Sequence, residues 1–372
     1  MRSAQNRSRA AAFGVAALLL FGGLASSEGP RPSAATVPSP PAPAAALAAG
    51  TLAPTRLHAV ALSWHGGPVT AATGERVTIF VSDSYTPDQI SPQTWADFFG
   101  SLIHGSELPK LVAYVATPAE VTQLCGANAL ACAGGGTITI PGQTAGGLPA
   151  TAVATHEYGH FIALNRINPP WRPDAFGAKR WASAVGVCAR VTAGTAFPGD
   201  EGERYRLNPG EGFAESYRIL NETKGGASAF SWPIVDSSFY PDANALAALN
   251  RDVVSPWLAP TQFSFSGRFL ATGTTRWKRV IATPLDGVLT ATLIIPSGGL
   301  YQFTLVTPDG RTTLATGLWS GAHAKTLSTV VCGERNLVLS VVRRGPPGRF
   351  TLQAAVPSVS YTHLTLPTIL RV

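Results

Sequence analysis

The sequence predicts an α+β fold followed by a small all-β sandwich. Strands and helices alternate through the earlier part of the chain, and short alternating strands spaced by Gly and Pro-Asp-Gly turns follow from about Ser255. With 372 residues, 45% of them hydrophobic, there is enough apolar surface for two cores. Only 13% are charged, and 38 Gly and 30 Pro favour a loop-rich exported protein over a helical cytosolic one.

At the N-terminus, MRSAQNRSRAAAFGVAALLLFGGLASS sets three arginines before an apolar run, Ala11 to Leu24, and then small residues. This is the layout of a secretory signal peptide, expected over 1–25. The run is short for a membrane span and no later stretch reaches spanning length, so no stable membrane span is expected after cleavage. The formal charge of +7 includes Arg2, Arg7 and Arg9; without them 25 basic residues face 21 acidic ones. Lys and Arg form no runs, which argues against nucleic acid as a partner. Residues 26–50 are nearly all Pro, Ala and Ser and read as an extended linker.

The folded part begins near Thr51. RVTIFVSDS (76–84) alternates and is β-branched, hence a strand; QTWADFFGSLIHG (93–105) has helical periodicity. KLVAYVA (110–116) is a second strand, and TPAEVTQLC opens a helix with Thr117 as N-cap and Glu120 three residues on. GGGTITIPG (134–142) is a short strand, read as an edge that an extended peptide could join over 137–140. GLPATAVATHEYGHFIALNRI (147–167) is the strongest helix, stopped by Asn168-Pro169-Pro170. Helices continue through AKRWASAVGVCARV and NPGEGFAESYRIL. The strands FSFSGRFLA, GVLTATLIIP, LYQFTLVTPDG, NLVLSVVRR and GRFTLQAAV then form the sandwich, expected over 257–356. Their texture resembles the sandwich modules appended to many secreted bacterial peptidases. The closing stretch VSYTHLTLPT resembles a translated sequencing-adapter read-through, so 357–372 is set aside as a non-native tail, His363 included.

Four cysteines suit an exported chain: Cys125 and Cys132 bracket a short loop, while Cys188 and Cys332 lie far apart and would join two domains. None has thiolate-zinc spacing, so disulfides are expected, with the pairing open.

His156, Glu157 and His160 lie within THEYGHFIALN. Four residues apart on a helix, the two imidazoles share a face, and Glu157 sits where its carboxylate can take a proton from water at a zinc ion. The plainer reading is two histidines packed in a core. Val153, His156, His160 and Leu164 form one stripe. The third His of the long metzincin motif is absent, because position 166 is Arg166 and position 163 is Ala163. A carboxylate from a second helix is the alternative ligand. Asn208 reads as its N-cap with Pro209 at the first position, and Glu211 and Glu215 follow one turn apart. Glu211 could equally complete a capping box and Glu215 could be a surface acid. If both serve the site, the first binds zinc and the second fixes the tautomer of a ligating His, with the two roles exchangeable from sequence alone. Gly159 inside the helix implies a close approach by another segment. His65 and His104 fall at loop ends and are given no metal role; the Arg and Trp of NRINPPWRP and KRWAS are read as packing.

HExxH followed by Glu-x-Phe-Ala-Glu resembles the gluzincin metallopeptidases, specifically the group that includes anthrax lethal factor and the clostridial Pro-Pro endopeptidases. The resemblance implies a zincin-like domain (51–256), Zn2+ held by His156, His160 and Glu211, Glu157 as general base and Glu215 in support. The family's oxyanion tyrosine would align with Arg204; Tyr205 is the neighbouring candidate. The resulting expectation is a secreted bacterial zinc endopeptidase acting on protein or peptide, with a cell-surface ligand open to the sandwich. Rival expectations are a zinc hydrolase of a non-peptide amide or ester, and a wall-binding protein whose metal is structural.

Overall fold

The computed structural model describes residues 62–321 and 323–358. The expected signal peptide and linker lie outside the described residues, as does the expected tail apart from Pro357 and Ser358. Ser358 itself is buried, and its carbonyl accepts a 2.8 Å hydrogen bond from Trp257 Nε1.

The first part runs β1 (Trp64–Thr70), β2 (Arg76–Ser82), α1 (Pro92–Ser101), β3 (Val112–Ala116), α2 (Pro118–Cys125), β4 (Cys132–Gly134) and β5 (Thr137–Pro141). These strands form one sheet in the order β1-β2-β3-β5-β4, parallel through β2, β3 and β5 and antiparallel at both ends. Helix α1 stops before its expected end, because the backbone of Ile103 is taken by the helix that carries Glu215. The Ile103 amide donates to Asn221 Oδ1 at 2.7 Å and its carbonyl accepts from Tyr217 Oη at 2.6 Å. Helix α2 has the expected capping box between Thr117 and Glu120. Strand β1 was not legible, since WHGGPVT offers Gly-Gly-Pro where alternation is sought. Gly66 has φ +116 and a Cβ there would lie 2.3 Å from the Ile79 carbonyl, so glycine is required by close strand contact. His65 is therefore in a strand, not at a loop end, and lies 2.8 Å from Asp83.

The edge assignment is also corrected. Strand β5 is interior, and β4 folds back beside it through Gly135 and Gly136, both at positive φ. The Cys125–Cys132 disulfide ties this short edge strand to the end of α2.

Helices α3 (Ala150–Leu164), α4 (Pro173–Phe176), α5 (Lys179–Ala184), α6 (Val187–Thr192), α7 (Pro209–Glu222) and α8 (Ala243–Val254) follow. Trp181, Tyr158, Phe161, Phe213 and Tyr217 are almost wholly buried between them and the sheet. Among the described residues no helix is long and apolar enough to cross a membrane.

Among the described residues eight strands follow: β6 (Thr261–Phe269), β7 (Arg276–Ala282), β8 (Gly287–Ile295), β9 (Leu300–Val306), β10 (Thr313–Ser320), β11 (His323–Val331), β12 (Asn336–Arg343) and β13 (Gly348–Val356). They make two antiparallel four-stranded sheets, β10-β9-β12-β7 and β11-β8-β13-β6, enclosing a second core that includes Tyr301, Phe303, Leu339, Phe350 and Leu352. The Cys188–Cys332 disulfide links this β-sandwich to α6. Both cysteine pairs are thereby decided.

Candidate metal centre

Helix α3 is buried along most of its length, so it sits where the sheet and α7 meet rather than on the surface. Gly159 makes this arrangement possible. A Cβ at that position would lie 2.8 Å from Ala214 Cα, which means α3 and α7 touch backbone to backbone. Helix α7 starts where Asn208 Oδ1 accepts from the Gly210 amide at 3.0 Å, with Pro209 in the first position. Glu211, in the first turn, points across the contact to the imidazoles of α3.

Three donors then converge. His156 Nε2 and His160 Nε2 are 3.2 Å apart; Glu211 Oε2 lies 3.1 Å from the first and Oε1 lies 3.3 Å from the second. A tetrahedral set around zinc, with bonds of about 2.0–2.1 Å, has neighbouring donors separated by about 3.3–3.4 Å. The spacing and the chemistry of this donor set, two imidazoles and one carboxylate, therefore fit a small divalent ion, and the three residues form a candidate metal site. The capping-box alternative for Glu211 is set aside, because its carboxylate faces the histidines.

Glu215 occupies the other side of His156. Its Oε2 is 3.5 Å from Nδ1, the ring nitrogen turned away from the donor cluster. Arg218, buried with it, grips both Glu215 oxygens at 2.6 and 2.9 Å. Such a carboxylate holds the ring orientation and leaves Nε2 as the ligating atom. Trp232 packs against the same ring, centroids 5.5 Å apart.

Tyr205 lies in a short 3₁₀ turn before α7 and donates from Oη to Glu211 Oε2 at 2.6 Å. Glu157 is buried beside the imidazoles. Two cavities flank it, of about 420 and 590 Å³, and Glu157, Tyr205, Glu201, Ala131 and Cys132 line both. They form a cleft along β4, whose outer edge has no strand partner among the described residues.

Charge balance follows from this packing. Burial pushes the His156 pKa down, but the hydrogen bond to Glu211 and the nearby Glu215 carboxylate outweigh it and bring it up to about 10. Burial also works to raise Glu211, yet the His160 charge and the imidazole hydrogen bonds hold it well below the usual carboxylate range. With protein groups alone as partners, a proton on His156 balances Glu211; a dication would compete for the same nitrogen. Glu157 differs. Burial raises its pKa despite the nearby histidines, the direction expected of a group that accepts a proton near neutral pH.

The structure thus brings His156, Glu157, His160, Tyr205, Glu211 and Glu215 together, and keeps His65 and His104 apart from them. Arg166 and Trp181 pack as expected: Arg166 reaches Glu107 at 2.7 Å, and Trp181 meets Phe213 edge-on. Arg172 is different, being exposed and lining the cleft with Asp174. Sequence reading also missed Arg218, Glu201 and Trp232. Glu215, Arg218 and Glu222 have the i, i+3, i+7 spacing of one helix face, so the first was findable. Glu201 and Trp232 sit in irregular segments whose pairing has no local signal.

No family model and no curated protein matches the chain. Matching solved structures include the Yersinia pseudotuberculosis-derived mitogen, at 12% identity and TM-score 0.22, covering 29% of this chain and 97% of that one. Aeromonas hydrophila PliG, a periplasmic inhibitor of g-type lysozyme, matches at 12% identity and TM-score 0.19, over 26% of this chain and 85% of its own. A CBM36 domain of a xylanase from the hindgut metagenome of Trinervitermes trinervoides matches at 15% identity and TM-score 0.15, over 27% and 75%. Overlaps this small assign neither fold nor function, which are read from the chain's own geometry.

Proposed function

We propose that the protein is a secreted, zinc-dependent endopeptidase of the gluzincin type. The observation that carries the reading is the convergence of His156, His160 and Glu211 on one point at the floor of a cleft that Glu157 also lines. A zinc ion held there would polarise a substrate carbonyl and make water acidic enough to ionise near neutral pH. Glu157, buried and raised in pKa, accepts the proton from the attacking water and returns it to the departing amine. Glu215, clamped by Arg218, keeps the His156 ring aimed at the cleft. Tyr205 supplies a hydroxyl within the same space, placed to donate to an oxyanion once its bond to Glu211 is relaxed.

A peptide is favoured over a small ester by the wall of the cleft. Cys132, Ala133 and Gly134 of β4 line the cavity with a strand edge left unpaired among the described residues, so an extended substrate gains main-chain hydrogen bonds beside Glu157. Two disulfides suit an oxidising compartment and support export.

The test is elemental analysis of the purified chain together with cleavage of a peptide library, with and without chelator, for the natural protein and Glu157→Gln. One zinc per chain in both, with hydrolysis falling by a factor on the order of 10² to 10⁴ in the variant, is expected. A metal-loaded natural protein that cleaves no peptide would sink the proposal.

A further inference from the structure

Away from the metal cleft, a cavity of about 360 Å³ opens where the helices meet the sandwich. Its walls carry three arginines, Arg180 from α5, Arg251 from the last turn of α8 and Arg335 from the turn before β12, and no acidic residue. Ser183 and Asn244 add polar atoms, and Leu285 gives an apolar floor. None of these residues lines the metal cleft.

Two of the guanidiniums are fixed from behind. Arg180 Nη1 reaches Asp252 at 3.2 Å and the Ser255 carbonyl at 2.7 Å; Arg335 Nη1 reaches Asp286 at 2.7 Å while Nη2 donates to the Ser183 carbonyl at 3.0 Å. Asp252 and Asp286 are both buried. The Arg180 Nε and Nη2 groups remain without a protein partner among the described residues, as does the whole Arg251 head. Asn244, Ala248 and Arg251 recur along one face of α8, so Arg251 stands over the cavity beside two immobilised cations. Asp252 and Asp286 offset the charges of Arg180 and Arg335 but leave the Arg251 head and the remaining Arg180 N–H groups without an acceptor among the described residues. Planar N–H forks match an oxyanion in two-point geometry.

The geometry points to a second ligand site here, one that binds a small oxyanion ligand, phosphate or dicarboxylate, between the helical part and the sandwich. Such a ligand stabilises the native state through contacts to both parts at once.

Calorimetric titration of inorganic phosphate, and separately of succinate, into the full secreted chain tests this, at constant ionic strength set with sodium chloride. Saturable binding of one anion per chain is expected for at least one of them, and which one binds identifies the ligand chemistry. Arg251→Gln should weaken it on the order of tenfold, the loss of one charge-assisted hydrogen bond, with metal content unchanged. Ala248→Glu, which places an acid in the wall, should abolish it and covers the case in which Arg251→Gln folds poorly. Absence of saturable binding by both anions overturns the inference. So does binding that both variants leave intact, which would locate the anion at the metal centre or on the general surface.

Discussion

Glu211 and Glu215 are one turn apart on the same helix, yet they meet opposite edges of one imidazole. Glu211 lies at Nε2, among the donors; Glu215 lies at Nδ1, where it can only orient the ring. The two substitutions should therefore separate. Glu211→Gln removes a charged ligand and should leave the purified protein largely metal-free. Glu215→Gln keeps all three donors and should retain metal at a 10- to 100-fold weaker affinity, the usual effect of losing a supporting partner. Competitive chelator titration of both variants reads this, and the reverse ranking would make Glu215 the ligand. Arg218 belongs with Glu215, since its two hydrogen bonds hold the carboxylate against His156.

At the scale of elements, the site depends on how closely α3 and α7 approach. Helix propensity alone favours Ala over Gly in mid-helix by about 1 kcal/mol. At position 159 packing opposes it, because the added methyl would press on Ala214 backbone that no rotamer change can move. Overpacking of this kind costs about 1–3 kcal/mol, so Gly159→Ala should lower the thermal midpoint despite its better propensity. It should also reduce metal content, since separating the helices draws Glu211 away from the imidazoles. A Gly159→Ala protein that is more stable and fully loaded would show that the contact has slack. Strand β4 is the second critical element. Its three residues line the cleft, and the Cys125–Cys132 bridge holds them there.

At the scale of the whole molecule, the helical part and the sandwich are joined by one disulfide and by Ser183, whose Oγ accepts from the Asp286 amide at 2.9 Å and whose carbonyl accepts from Arg335 at 3.0 Å; Lys179 is buried on the same short helix. This lysine is 1% exposed; Nζ donates to the Pro169 carbonyl at 2.8 Å and lies over the rings of Trp171 and Trp257. Burial lowers its pKa from 10.5 to about 8, against the pull of Asp286 and Asp252. A lysine depressed in the folded state favours its neutral form there, while the unfolded chain stays protonated up to its ordinary value. Its contribution is thus unfavourable below pH 8 and becomes less so as pH rises from about 8 towards 10.5, by at most about 1.4 kcal/mol per pH unit. Lys179→Met lacks this titration. Urea denaturation at pH 7 and pH 9.5 should show the natural protein gaining stability relative to the variant over that interval. Parallel behaviour of the two would mean that Lys179 is charged throughout.

The chain's local signals were sufficient for the helix bearing His156, Glu157 and His160, for the Asn208-Pro209 start of α7, and for the strands β8, β9, β12 and β13. Each of these has a short-range cause: a 3.6 or 2.0 period, or a cap. Helix α3 ran as expected to within three residues at either end. The missed strands β7, β10 and β11 are edges of the sandwich, where one flank is open and the alternation fades, although the remaining edge, β6, was legible in FSFSGRFLA. β4 and the interior place of β5 were also out of reach, because they depend on a hairpin through two glycines and a covalent tie. The sequence by itself determined which side chains could bind a metal and which helices carry them. Only the tertiary structure decided that Glu211 rather than Glu215 joins the histidines, that Arg218 stands behind them, and that β4 borders the cleft. Those outcomes rest on contacts between segments tens of residues apart, which are set by how surfaces pack and leave no periodicity in the chain.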